Sequence, residues 1–338
     1  GAGAGLCSTS CPMQINTGEM IHDLRAQALP KGSAGYKVGD FAANHLSAVK
    51  SALRPVLSAA GVAHAVIGDK ATDAVGRGLS KLGMPMWSSA FPLACSPHAI
   101  KTQPSELKVV YFPSCINQTM GKSKGQSTPL IDKMVALMEK AGYEVIFPKN
   151  MKNLCCGTIW ESKGMPDIAD RKAKELDDAL FEASDGGRYP VLCDQSPCLH
   201  RMRNTIKRVK LYEPVEFIYE YLAPRLRFVQ TDEPVALHFT CSTRHMNLND
   251  MFVALAGMCT TKVVVPEEVG CCGFAGDKGF TDPEVNRYAL RKLRKQLEAA
   301  GVKRGFSNSR TCEIGLTVNG GVPYQSIAYL VDECTIKK

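Results

Sequence analysis

The chain has 338 residues, 45% hydrophobic and 22% charged, enough for roughly two packed domains, and it has no apolar run of about 18 residues of the kind that spans a membrane. Its net charge of +8, from 41 basic and 33 acidic residues without basic tracts, gives nucleic acid little support as a partner and leaves an anionic membrane face or an acidic redox partner open. Fourteen cysteines are about 4% of the chain, well under the roughly 8–10% of small disulfide scaffolds, so pairing for stability is not expected.

The first residue is Gly1 and not Met, and Gly1-Ala2-Gly3-Ala4-Gly5 has neither the basic flank nor the apolar stretch of a secretory signal. It also lacks the preceding strand and the Lys-Ser/Thr of a phosphate loop. A fragment of a longer chain, working in a reducing compartment, is expected. Next, Leu6-Cys7-Ser8-Thr9-Ser10-Cys11-Pro12 has the C-x3-C-P ending of a bacterial ferredoxin motif, in which the last Cys often serves a second cluster. The motif's other cysteines are not in this chain, so Cys7 and Cys11 read as a truncated ferredoxin-type remnant over residues 1–24. Asn44 to Ala63 and Ala71 to Leu82 have apolar helical spacing and little chemistry. Residues 25–105 are therefore expected to form a helical linker.

From Val109 onward the sequence repeats itself. Cys155-Cys156-Gly157 recurs as Cys271-Cys272-Gly273. Each pair follows an isolated Cys that ends an apolar strand-like run: Cys115 after Val109-Val110-Tyr111-Phe112, and Cys241 after Ala236-Leu237-His238-Phe239. Each pair also precedes a later Cys, Cys198 or Cys312, and the three equivalent positions lie 126, 116 and 114 residues apart. This is an internal duplication with small insertions.

Within the units, Leu130, Met134, Leu137 and Met138 stand at helical spacing after Ser127-Thr128-Pro129. Short β-branched runs, Tyr143 to Phe147 and Lys262 to Val265, lead to the cysteine pairs. Second helices are expected over Asp167 to Glu182 and over Pro283 to Ala299, the latter opened by the capping box Thr281-Asp282-Pro283-Glu284. That helix carries Arg291-Lys292-Leu293-Arg294-Lys295, read as a solvated face or as a docking patch for an anionic partner. Third strands, Tyr189 to Cys193 and Arg304 to Phe306, and closing helices, Pro214 to Leu222 and Pro323 to Leu330, complete two units at 106–230 and 231–338. The fold class expected is α/β: two tandem βαβαβα units on short, mostly parallel sheets after a mainly helical N-terminal segment.

In such sheets ligands gather beyond the carboxyl ends of strands, which would bring sequence-distant thiols to one rim. Adjacent cysteines close a strained disulfide ring poorly, and a following Gly lets the backbone bend so that both sulfurs face one centre. Thiolates pointing at one point need a cation. The candidate metal ligands are Cys115, Cys155, Cys156, Cys193 and Cys198 in the first unit and Cys241, Cys271, Cys272 and Cys312 in the second. Cys95, Cys259 and Cys334 have no counterpart and read as small buried hydrophobes. Zinc competes with iron–sulfur clusters, although zinc sites usually come as paired C-x2-C knuckles, absent here. His64, His98, His200, His238 and His245 read more readily as structural than as ligands, with His245, four residues after Cys241, the best placed to support one. Arg244 and Arg310 read equally as donors to cluster sulfur or as solvated surface. Gly270 and Gly276 suit tight turns around the second pair.

On these residues the chain resembles the cysteine-rich CCG domain of heterodisulfide reductase subunits, glycolate oxidase iron–sulfur subunits and FAD-linked D-lactate dehydrogenases. The family signature is a Cys, then C-C-G, then C-x-x-C, commonly in tandem. Both copies match the first Cys and the C-C-G; at the end they depart, with Gln195 preceded by Cys193, and with Cys312 followed by Glu313-Ile314-Gly315. The stretches Gln14 to Ile21, Asp194 to Met202 and Ser307 to Leu316 look most like the C-terminal iron–sulfur half of the FAD-linked D-lactate dehydrogenase type. The resemblance implies 4Fe-4S clusters on the nine cysteines of the repeat and on Cys7 and Cys11. It implies electron transfer from FAD, held by a dehydrogenase domain or subunit outside this chain, to a quinone or cytochrome while a small 2-hydroxy acid such as D-lactate is oxidised. The location implied is cytoplasmic or peripheral on the inner membrane, mitochondrial in a eukaryote. Two alternatives stay open: a heterodisulfide-reductase-like thiol/disulfide oxidoreductase, and a zinc-stabilised interaction scaffold.

Overall fold

The computed structural model describes residues 5–80, 90–96, 98, 100–123 and 125–338; expectations that fall on residues 1–4, on Leu82 and on the side chain of His64 lie outside the described residues. Helices α1 (Leu6–Ser10), α2 (Thr17–Ala28), α3 (Ala34–Asn44), α4 (Leu46–Ile67) and α5 (Asp69–Ser80) come first. The side chains of Asn16 and Ser33 accept from Gly18 N and Tyr36 N, so both α2 and α3 begin with satisfied backbone donors. These helices rest on the first unit through Trp160 Nε1, which donates to Gly39 O at 3.0 Å, and Arg25, which donates to Ser162 O at 2.7 Å.

The first unit runs β1 (Lys108–Phe112), α6 (Leu130–Lys140), β2 (Glu144–Ile146), α7 (Thr158–Ser162), α8 (Pro166–Ala183), β3 (Val191–Cys193), α9 (Ser196–Thr205), β4 (Leu211–Tyr212) and α10 (Pro214–Phe217). After β5 (Leu226–Phe228) the second unit repeats the order of strands, with an additional short helix after its first strand. Its elements are β6 (Val235–Leu237), α11 (Cys241–His245), α12 (Asn249–Cys259), β7 (Val263–Val264), α13 (Pro283–Ala289), α14 (Leu293–Ala299), β8 (Arg304–Phe306), α15 (Arg310–Gly320), β9 (Tyr324–Gln325) and α16 (Ile327–Glu333). The sheets are ordered β2-β1-β3-β4 and β7-β6-β8-β9, with every neighbouring pair parallel. The α/β class with parallel sheets is as expected, but each sheet has a fourth strand where three were expected. The extra strands have two residues apiece, too short to leave a periodic signal. A last strand, β10 (Thr335–Lys337), pairs antiparallel with β5, tying the end of the chain to the segment between the units.

Other expectations are corrected locally. The helix expected over Pro283 to Ala299 is two helices, broken near Leu290 to Lys292, so the basic run straddles the break. The capping box does not form: Asp282 is the N-cap without a side-chain bond, because the Thr281 hydroxyl is spent on Asp282 Oδ2 at 2.6 Å and Lys278 O. The closing helix of the second unit starts at Ile327, since Tyr324 and Gln325 extend the sheet.

Both faces of each sheet are covered, as parallel sheets require. Val109 and Tyr111 of β1 face a core shared by the two units, built from α6, α10, α12 and α16 with Val235, Leu237 and Phe306 of the second sheet. The alternate residues Val110 and Phe112 face a second cluster with α8 and α9. The expected α6 stripe lies in the shared core: Leu130, Met134, Leu137 and Met138 are all buried, each contributing roughly 1.5–3 kcal/mol of apolar transfer. Because one core serves both sheets, their carboxyl ends are held side by side.

Candidate metal centre

Each set of thiols is delivered by strand ends. Past β1 the loop through Ser114 is pinned to the end of β3 by Asp194, which accepts from Tyr111 Oη and Ser114 N, each at 2.8 Å. Burial pushes the Asp194 carboxyl up, against hydrogen bonds from the Ser114 backbone and hydroxyl, the Asn117 side chain and Tyr111, which hold the loop that carries Cys115. In the second unit α11 starts at Cys241, with Thr240 accepting from Thr243 N as its cap. The glycines of the two C-C-G turns are left-handed, with φ of 89° at Gly157 and 71° at Gly273. A Cβ at Gly157 would lie 2.4 Å from Ala169 O, and one at Gly273 2.8 Å from Val285 O. Only glycine lets α8 and α13 press this closely on the turns that present the cysteine pairs.

All fourteen cysteines are free thiols. In the first unit Cys115, Cys155, Cys156 and Cys198 form a chain of hydrogen-bonded sulfurs. Cys156, which takes hydrogen bonds from Cys155 and Cys198, is held well below the usual thiol range, and Cys115 is lowered by Cys155. Cys155 and Cys198, the sulfurs on the giving side, are raised. Cys193 is buried beside this chain, its thiol donating to Gln195 O at 3.8 Å and pushed up by burial. In the second unit Cys241 donates to Cys271 at 3.5 Å and Cys272 to Cys312 at 3.1 Å. Hydrogen bonds from Cys241 and Cys272 lower the Cys271 thiol, while Cys241 and Cys272 are raised. Eight of the nine repeat cysteines therefore meet as two equivalent sulfur chains, with Cys193 at the edge of the first.

The remaining cysteines stand apart from these chains. Cys7 is exposed and takes a hydrogen bond from Thr17 Oγ1 at 3.1 Å, and Cys11 is part-exposed. Cys95 donates to Asn117 O at 3.2 Å. Cys259 and Cys334 are buried in the shared core and hydrogen-bond each other, which agrees with their reading as small core residues.

Several charged groups frame the site. Lys50, on the helical segment expected only to pack, is 3% exposed and lies beside Cys115 and Cys155; burial brings its ammonium down to about 8. Nothing in its sequence surroundings singles it out. Arg310 is neither a cluster donor nor surface: it is 1% exposed and its side chain is engaged by Asn117, Ser123, Glu313 and Gly121 O. Arg244 is half-buried, stacked over Phe239 with its guanidinium 5.5 Å from the ring centre. The His200 and His245 rings lie 5.5 Å apart, tilted by 39°, and Gly5 of the N-terminal segment packs on His245, where a Cβ would lie 3.1 Å from Nε2. His98 pairs with Asp132 near the surface. His238 is buried, and its place is taken up below.

The two rims face each other. Ser196 N donates to Asn308 O at 3.0 Å, Gln195 Nε2 donates to Ser309 Oγ at 3.1 Å, and Arg310 N donates to Gln195 Oε1 at 3.1 Å. The loops after β3 and β8, each leading to a last cysteine, thus bond directly to one another.

Among the described residues no three His, Cys, Asp or Glu side chains enclose one point as a ready single-ion site. The donor set is nonetheless four neighbouring sulfurs in each unit, soft ligands that suit iron–sulfur clusters or zinc and not magnesium or calcium. No helix among the described residues is long and apolar enough to cross a membrane.

Comparison with known proteins agrees with this geometry. The family described as CCG, a cysteine-rich domain, matches residues 109–203 and 235–317. Lactate utilization protein A 1 of Bacillus mycoides (strain KBAB4) is 22% identical over 248 residues, which cover 67% of this chain and 97% of that protein. Among solved structures, an aspartate racemase homologue from Pyrococcus horikoshii OT3 aligns with 67% of this chain and 96% of its own at 15% identity and a TM-score of 0.25. A putative Asp/Glu racemase from Yersinia pestis aligns over the same shares at 12% identity and a TM-score of 0.31. TM-scores of this size do not establish a shared fold.

Proposed function

Because the chain belongs to the cysteine-rich CCG domain family, we propose that it is an iron–sulfur electron-transfer component of a 2-hydroxy acid oxidation system, D-lactate being the favoured substrate. The observation that carries this reading is the pair of equivalent sulfur chains at facing sheet rims. The likeness to a lactate utilization protein supports the substrate class. In this reading Cys115, Cys155, Cys156, Cys193 and Cys198 hold one centre, and Cys241, Cys271, Cys272 and Cys312 hold the other. Residues 1–24, with Cys7 and Cys11, are the end of a ferredoxin-type module, 25–105 a helical linker, and 106–230 and 231–338 the two CCG domains. The flavin and the hydroxy acid are bound by a partner domain or subunit, and a quinone or cytochrome receives the electrons at a cytoplasmic or peripheral membrane location.

When bound, iron–sulfur clusters supply one-electron chemistry at a potential set by ligands, hydrogen bonds to sulfur and exposure. The chain's own contribution is to present deprotonated sulfur and keep water away. Cys156 and Cys271, each accepting hydrogen bonds from two neighbouring thiols, are held below the usual thiol range. Lys50 places a positive charge beside the first set. The interlocked loops keep the two sets at a constant separation.

Anaerobic reconstitution followed by iron, sulfide and zinc assays and electron paramagnetic resonance tests the reading. Iron with acid-labile sulfide is expected; stoichiometric zinc without sulfide overturns it. Cys271→Ser or Cys272→Ser is expected to remove one cluster signal, whereas Cys259→Ser leaves both. With D-lactate this chain alone is expected to reduce no dye.

A further inference from the structure

The ends of the central strands carry different residues in the two units. In the first sheet Phe112, ending β1, stands opposite Cys193, ending β3. Strands β6 and β8 pair in the same register, Leu237 opposite Phe306. One residue further on, His238 takes the place of Phe112 and Ser307 the place of Cys193. A phenyl ring and a thiol in the first unit are an imidazole and a hydroxyl in the second.

His238 is 3% exposed, and its hydrogen bonds define which ring nitrogen carries the proton. Ser307 Oγ lies 3.1 Å from His238 O and 3.3 Å from Nδ1; with its one proton given to the carbonyl, it accepts from Nδ1. In that arrangement Nδ1 is the N–H, and Nε2 is left with its lone pair. Nε2 is buried and has no hydrogen-bond partner. An acceptor taken out of water and left unpaired is unfavourable unless something else takes up its lone pair. The ring directly follows β6, three residues before Cys241, and its charge bears on Cys271.

We propose that His238, through Nε2, is a further ligand of the metal centre held by Cys241, Cys271, Cys272 and Cys312, supplied from the strand beside Ser307, the residue that stands where the first unit has Cys193. The assignment rests on the iron–sulfur reading above. Imidazole is a good ligand for iron, and a metal-bound histidine holds its orientation by donating its other ring N–H, here to Ser307. Exchange of a thiolate for a neutral imidazole removes a negative charge from the second centre, which raises its potential above that of the first.

The test uses the full chain, ¹⁵N-labelled at histidine and reconstituted anaerobically. Pulsed electron paramagnetic resonance of the reduced protein is expected to show the coupling of a directly bound imidazole nitrogen. His238→Phe, which copies the first sheet and keeps a ring in the core, loses that coupling, and His98→Gln, changed near the surface, retains it. In a separate redox titration, His238→Cys keeps the iron content of the parent and moves the second centre to a more negative potential. A nitrogen coupling that survives in His238→Phe, or a potential unmoved in His238→Cys, overturns the assignment and leaves the iron–sulfur reading standing. A parent protein that binds neither iron nor sulfide overturns both.

Discussion

Lys50 Nζ donates to Gln118 Oε1 at 2.7 Å, across 68 residues of sequence. Gln118 is fixed in turn by its own Nε2, which donates to Pro113 O at 2.7 Å. The lysine reaches the first thiol set from α4, and the glutamine belongs to the loop that carries Cys115, so the N-terminal helices reach directly into the candidate centre.

A buried cation stabilises the more negative, reduced state of an adjacent centre. Lys50→Met keeps most of the side-chain stem and removes the charge. The first centre's midpoint potential is expected to fall while the second's stays in place, as read by redox titration followed spectroscopically. No shift, or a rise, refutes the role given to Lys50.

Gly157→Ala and Gly273→Ala each force a side chain into left-handed backbone, which alone costs about 1–2 kcal/mol, and at Gly157 the new carbon also meets Ala169 O. Both variants are expected to unfold at lower urea concentration and to bind less iron than the parent. An alanine at either position that loads iron fully shows that the close approach of α8 or α13 is unnecessary.

Arg310 joins the units through a guanidinium in which both Nε and Nη1 are occupied, Nε donating to Asn117 Oδ1 at 3.0 Å and Nη1 to Glu313 Oε2 at 2.6 Å. Arg310→Met leaves the Glu313 carboxylate buried without its partner, at a cost of about 3–5 kcal/mol. Arg310→Lys is expected to recover only part of this, since an ammonium lacks the fork. Chemical denaturation measures both; a loss below about 1 kcal/mol in Arg310→Met contradicts the assignment.

Glu213 gives a pH dependence with a definite sign. Its fully buried carboxyl is pushed from 4.5 up to about 8 by desolvation, so the folded state holds a proton that the unfolded chain gives up near pH 4.5. The stability it contributes is complete below pH 4.5 and is lost as pH rises through 8. Gln does not ionise, and Asn308 Oδ1, buried without a partner, can turn to accept from it. Glu213→Gln is expected to match the parent near pH 4.5 and to exceed it at pH 8 by an amount on the order of 4 kcal/mol. Parallel urea curves at the two pH values check this, and a constant difference between the proteins counts against it.

The duplicated cysteines were legible because the same spacing occurs twice, and a register shared by two sheets then brings them to equivalent places. The α6 stripe was legible for a similar reason: Leu130, Met134, Leu137 and Met138 repeat at the helical period and are buried together. Strands β4 and β9 were not, since two residues carry no period. The break at Leu290 and the unformed cap at Thr281 depend on local hydrogen-bond competition that residue type alone does not settle. Arg310 reads in the sequence equally as a donor to cluster sulfur or as surface, and it is neither, because its partners come from the other unit and are invisible beside it in the chain.

By itself the sequence determined the α/β class, the twofold repeat and which cysteines recur in equivalent places, since these follow from periodicity and spacing along the chain. Only the tertiary structure decided that Lys50 stands at the first thiol set, that Arg310 ties the rims together and that His238 has a bare nitrogen in the second unit. Those facts depend on which distant segments meet and what they exclude from water. Burial and pairing of a polar group are properties of that meeting, and no local pattern encodes them.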